Sequence, residues 1–108
     1  MNRCFVYSEE FDMKWNDLGL TDNDLNELEN FLLKNPQAGA VIQGTGGLRK
    51  LRWALPATSK SGGIRVLYVD IVIDEEIYMV DLFAKSKKTD LTAKEKKALK
   101  QFIKNELK

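Results

Sequence analysis

Between Glu29 and Asp70 the chain has no acidic residue, yet it carries Lys34, Arg49, Lys50, Arg52, Lys60 and Arg65. Most of these lie in the stretch from Ile42 to Tyr68, flanked by the glycine-rich runs GTGG and SGG. Guanidinium and ammonium groups gathered without counter-charges attract polyanions, and they can stabilise negative charge that develops on a phosphate without help from a metal. Histidine is absent and cysteine occurs once, at Cys4. The usual zinc ligand sets and the Ser-His or Cys-His nucleophile pairs therefore cannot be built. Any proton transfer falls to Lys, Tyr, Asp or Glu. A lysine can act as a base only if its pKa is depressed, for which neighbouring cations are a physical cause.

The overall composition hides this patch. Seventeen basic and sixteen acidic residues leave a net charge of only +1, because positions 1–33 hold two basic and eight acidic groups whereas 30–69 hold six and none. At 108 residues and 12.3 kDa the chain is expected to form one domain, spanning 1–108. No apolar run approaches the roughly 18–20 residues of a membrane span. The opening MNRCFVYSEEF lacks the apolar centre of a secretory signal, so a cytoplasmic protein is expected. Cys4, among apolar neighbours, reads as a buried inert thiol.

The elements that must position these cations follow from pattern. Arg3 to Tyr7 reads as a strand. Ser8 with Glu9 and Glu10 starts a short helix with Phe11, Trp15 and Leu18 on one face, closed by Gly19. Thr21 and Asp24 resemble a capping box, ahead of a second helix whose apolar face is Leu25, Leu28, Phe31 and Leu32 and which stops at Asn35-Pro36. The GTGG segment reads as a turn, since its spacing matches no phosphate-binding fingerprint.

From Leu48 to Leu55 the period becomes two, so Lys50 and Arg52 emerge on one face while Leu51 and Trp53 enter the core. Arg49 has core-face parity and is placed near the strand's end or edge. Two further strands, Ile64 to Ile73 and Ile77 to Lys85, are nearly continuous apolar runs that imply burial on both faces. In the first, Arg65 shares a face with Leu67 and Val69, opposite to Tyr68. In the second, Asp81, Phe83 and Lys85 share a face. Thr92 with Glu95 caps a C-terminal amphipathic helix. The expected class is α+β, in the order β-α-α-β-β-β-α: a small antiparallel or mixed sheet of about four strands, two N-terminal helices packed on one face, and a C-terminal helix.

The runs GTGGLRKLR, GGIRVLY and LFAKSKKTDLT, with the final capped helix, resemble the RelE/ParE superfamily of bacterial toxins in its HigB-like branch. The resemblance covers nearly the whole chain. It implies a RelE-like fold and a ribosome-dependent endoribonuclease that enters the A site, cleaves translated mRNA by attack of the RNA's own 2′-hydroxyl, and needs no metal or cofactor. It implies a cognate antitoxin, HigA-like and of the helix-turn-helix type, through which alone operator DNA would be contacted. Residue by residue, Lys50, Arg52, Arg65 and Lys85 match basic catalytic positions of the family, with Arg65 expected at the scissile phosphate, Lys50 and Arg52 in phosphate binding or proton transfer, and Lys85 at transition-state charge or the leaving group. Arg49, Lys60, Lys87 and Lys88 are expected to bind nucleic acid. Ser86 stands where some relatives carry a second arginine, and no clear counterpart of their tyrosine follows. Two other readings use the same residues: a ParE-like toxin acting on DNA gyrase, and a nucleic-acid-binding module without catalysis.

Overall fold

In the computed structural model, residues 3–55, 63–84 and 91–106 are described. Strand β1 (Cys4–Tyr7) leads into helices α1 (Glu9–Asp17) and α2 (Asp22–Lys34). Strands β2 (Ala40–Val41), β3 (Arg49–Ala54), β4 (Gly63–Ile71) and β5 (Glu76–Ala84) follow, and helix α3 (Ala93–Glu106) ends the series. The sheet runs β1-β5-β4-β3-β2, with β1 parallel to β5 and every other pairing antiparallel. The α+β order holds, with five strands where about four were expected. The added strand, β2, is a two-residue edge.

The helix starts form as their sequences dictate. The Ser8 hydroxyl accepts from the Phe11 amide (3.0 Å) and donates to the Val80 carbonyl (2.5 Å), so one side chain caps α1 and ties it to β5. Thr21 and Asp24 exchange both capping-box hydrogen bonds at 3.1 and 2.9 Å, and Thr92 and Glu95 do the same before α3 at 3.2 and 2.9 Å. Gly19, at φ 73°, supplies the left-handed residue that ends the first helical segment.

The sheet separates two cores. On one face, Phe11 and Trp15 of α1 and Leu28 and Leu32 of α2 pack against Leu51, Ile64, Val66 and Tyr68. On the other, Leu67, Val69 and Val80 meet Ile42, Leu48, Leu91 and Ile103, the last from α3. Central strand β4 is consequently buried from Gly63 to Val69, the double-sided burial that its apolar run implies.

Three features depart from expectation. β4 ends at Ile71, so Val72 and Ile73, although apolar, lie in the following turn and are exposed at 57% and 95%. Glu75 adopts a positive φ of 54° there, a conformation that closes the turn. A bulge pairs Leu67 with Asp81 but Tyr68 with Met79, leaving Val80 as the extra residue. It reverses the facing of β5, so Met79 and Leu82 both reach the helix-side core. Cys4 is exposed rather than buried, because it begins an edge strand with the sheet on one side only.

Candidate nucleic-acid interface

The cations converge through cross-strand pairing. Arg52 of β3 lies directly opposite Arg65 of β4, which lies directly opposite Phe83 of β5. One step along, Lys50 pairs with Leu67. Directly opposed residues share a face, so Lys50, Arg52 and Arg65 all stand on the side of the sheet away from α1 and α2. Arg52 is exposed, Lys50 is half-buried and Arg65 is 5% exposed. Like charges directly opposite each other destabilise a sheet.

Arg65 is the unusual member. Its Nε is buried and has no hydrogen-bond partner among the described residues. Arginine cannot discharge itself by losing a proton, so its burial cost is offset only by an anion or by acceptors. An anionic group brought to this face would meet two arginines and a lysine on neighbouring strands about 4.8 Å apart.

Tyr68, the next-but-two residue along β4, faces the other way. Its hydroxyl accepts from the Gly39 amide at 2.9 Å, and burial pushes the phenol pKa up, against the lowering effects of that bond and of Arg49. Gly39 permits the approach, since a Cβ there would lie 3.0 Å from the Lys50 carbonyl oxygen and 3.1 Å from the Tyr68 ring.

Arg49 is the first residue of β3 and has the parity of Leu51. Its guanidinium donates to the carbonyls of Gln37 (3.2 Å) and Gly39 (2.7 Å), tying down the chain after α2. The structure therefore brings together Lys50, Arg52 and Arg65 and sets Arg49 apart from them. Lys85, Lys60, Lys87 and Lys88 lie outside the described residues. Asp81, on the Phe83 side by parity, pairs with Lys14 of α1 at 2.7 Å.

Two of the concavities that the described residues form lie elsewhere. One of about 690 Å³, at the far end of the sheet, is bordered by Val41, Arg49, Asp70, Val72, Ile73 and Ile103. Among the described residues, three of the four exposed large apolar side chains (Val41, Val72 and Ile73) cluster there. The other, of about 550 Å³, lies between the start of α1 and α3 and includes Ser8, Asp81, Leu99 and Phe102. Neither contains Lys50, Arg52 or Arg65. Among the described residues no group of three His, Cys, Asp or Glu side chains could hold a metal ion.

The fold defined by this sheet and its three helices is that of the RelE-type toxins. The chain matches a free-state structure of E. coli toxin RelE carrying two arginine-to-alanine substitutions, with a TM-score of 0.55 and 17% identity over 81% of this chain and 88% of that one. It matches the intact E. coli RelBE toxin-antitoxin complex with a TM-score of 0.55 and 16% identity over 82% of this chain and 99% of the other. No family model matches the sequence.

Proposed function

We propose that the protein is the toxin of a toxin-antitoxin pair, of HigB-like type, and that it is a metal-independent, ribosome-dependent endoribonuclease. The observation that carries this reading is Arg65, a buried guanidinium whose Nε lacks a partner among the described residues, on the same sheet face as Arg52 and Lys50. Cleavage by the 2′-hydroxyl passes through a pentacoordinate phosphorane with extra negative charge. Preorganised cations stabilise such charge more than they stabilise the ground state.

In this reading Arg65 holds the scissile phosphate, while Arg52 and Lys50 bind flanking phosphate or assist proton transfer. Lys85 neutralises the transition state or protonates the leaving 5′-oxygen. Arg49, Lys60, Lys87 and Lys88 extend the contact to the RNA backbone, Arg49 only by giving up its carbonyl contacts. In this reading the ribosomal A site bends the substrate into line. Proximity and orientation can supply up to roughly 7–11 kcal/mol of a barrier, and activity on free RNA would be weak.

The partner is a cognate antitoxin, HigA-like, which would bring any contact with operator DNA. The exposed cluster of Val41, Val72 and Ile73 supports a protein partner, since contiguous exposed apolar residues mark interaction surfaces. The proposed location is the cytoplasm, and no described helix is long and apolar enough to cross a membrane.

The test is induced expression in a bacterial host, with primer-extension mapping of a translated message beside the same message lacking its start codon. Cuts confined to the translated message, and lost in Arg65→Ala, are expected. Growth arrest with intact mRNA would sink the nuclease reading and point to gyrase. Neither effect would leave a binding module.

A further inference from the structure

We propose that Phe83 is a stacking platform for a nucleobase, so that the cationic face reads a base as well as a phosphate. The inference rests on the RNA-directed reading of that face and deepens it. Phe83 is the direct cross-strand partner of Arg65, and Arg65 of Arg52, so the three stand in one row across β5, β4 and β3 on one face of the sheet. The row runs from exposed Arg52 through buried Arg65 to half-buried Phe83.

A base hangs one ribose away from its own phosphate, a reach comparable to one inter-strand step of about 4.8 Å. A phosphate seated between Arg52 and Arg65 therefore brings its sugar and base over β5, where Phe83 is the side chain at that register. Every base has a π-face, so an aromatic in this position adds affinity with little sequence preference and fixes the nucleotide's orientation relative to the arginines. Phe83 also packs against the core formed by Leu67, Leu91 and their neighbours, which restrains its side chain. Phe83 is a positioning residue in this scheme. It supplies no charge and no proton.

The probe is a fluorescein-labelled, uncleavable 2′-O-methyl hexanucleotide followed by anisotropy, with inorganic polyphosphate as the base-free polyanion. Phe83→Leu is expected to weaken binding of the hexanucleotide by about tenfold, in the range of aromatic stacking, while leaving polyphosphate affinity and the salt dependence unchanged. Phe83→Tyr should retain parental binding. Arg52→Ala should weaken both ligands and reduce the salt slope by about one. Should Phe83→Leu fail to fold, the unaltered protein still decides the matter through a hexanucleotide of identical length with abasic sites, expected to bind about tenfold more weakly.

Equal binding of the abasic and normal oligomers overturns the proposal, as does Phe83→Leu losing polyphosphate and RNA alike. Failure of the parent to bind the hexanucleotide at concentrations that capture polyphosphate also overturns it. Failure of the nuclease reading looks different: no translation-dependent cuts in cells, with the preference for bases over abasic sites intact.

Discussion

Replacing Arg65 by methionine should make the protein more stable and less active at once. The substitution keeps an unbranched side chain of similar length at a site only 5% exposed, and it removes a guanidinium whose Nε has no partner among the described residues and whose cross-strand neighbour is Arg52. Exchanging buried ionic groups for packed apolar ones is often neutral or stabilising by about 1–4 kcal/mol. With a like charge opposite, we place Arg65→Met at about 1–2 kcal/mol more stable. For a domain near this size each kcal/mol moves the midpoint by about 4–8 °C, so Tm should rise by roughly 4–16 °C. Thermal unfolding followed by far-UV circular dichroism in low-salt buffer without phosphate measures it. Polyphosphate gives a second arm. At ten times its dissociation constant a ligand specific for the folded state adds about 1.4 kcal/mol, and this increment should appear in the parent and shrink in Arg65→Met. A variant that melts below the parent would refute the reasoning, because it would mean that Arg65 is satisfied within the fold and is not held for an external anion.

Three other outcomes follow from the geometry. Tyr68→Phe removes the acceptor for the buried Gly39 amide and should cost about 1–3 kcal/mol in urea unfolding; under the proposed nuclease reading it should reduce cleavage no further, because Tyr68 faces away from Lys50, Arg52 and Arg65. Arg3→Met leaves the Asp70 carboxylate, paired to Arg3 at 2.9 Å and 3% exposed in its side chain, without that charge, and should cost about 3–5 kcal/mol. A loss no larger than about 0.5 kcal/mol, the size of an ordinary surface substitution, would contradict that pairing. Burial raises the Glu29 carboxyl above its ordinary 4.5, although the Tyr7 hydroxyl donates to it. The folded state thus holds this proton more tightly than the unfolded chain. That contribution to stability is present below the ordinary value and is lost as pH rises through the folded value, so Glu29→Gln should flatten the fall in Tm above pH 4.5.

Features set by a few neighbouring residues were legible in the sequence. Ser8, the Thr21/Asp24 pair and the Thr92/Glu95 pair cap the helices as their spacing implies. Strand parity alone separates Lys50 and Arg52 from Leu51 and Trp53, and Arg65 from Tyr68, but that Arg65 stands opposite Arg52 depends on the register of β3 with β4. Features that depend on distant partners were not legible. Strand β2 has two residues, too few for a period, and exists because Ala40 and Val41 meet Lys50 and Arg49. Val72 and Ile73 carry the composition of a strand but fall in the turn to β5, and the extra residue at Val80 leaves no mark in composition. The tie from Arg49 to the carbonyls of Gln37 and Gly39 needs a contact across the sheet edge, as does the exposure of Cys4 on an outer strand. The burial of Arg65 was hinted at only by its place in an apolar run.

The parallel pairing of β1 with β5 sets a schedule for the molecule's own birth. Cys4 finds its partner at Glu76, and Ser8 anchors α1 to Val80, so the first strand made waits for the last. At synthesis rates of about 5–20 residues per second that interval lasts several seconds, during which β4 and β5 are absent and Arg52 has no Arg65 opposite it. Such long-range closure folds slowly once the chain is complete. The face that carries Lys50, Arg52 and Arg65 assembles earlier, as soon as β4 follows β3, and so precedes the closure of the sheet by β1.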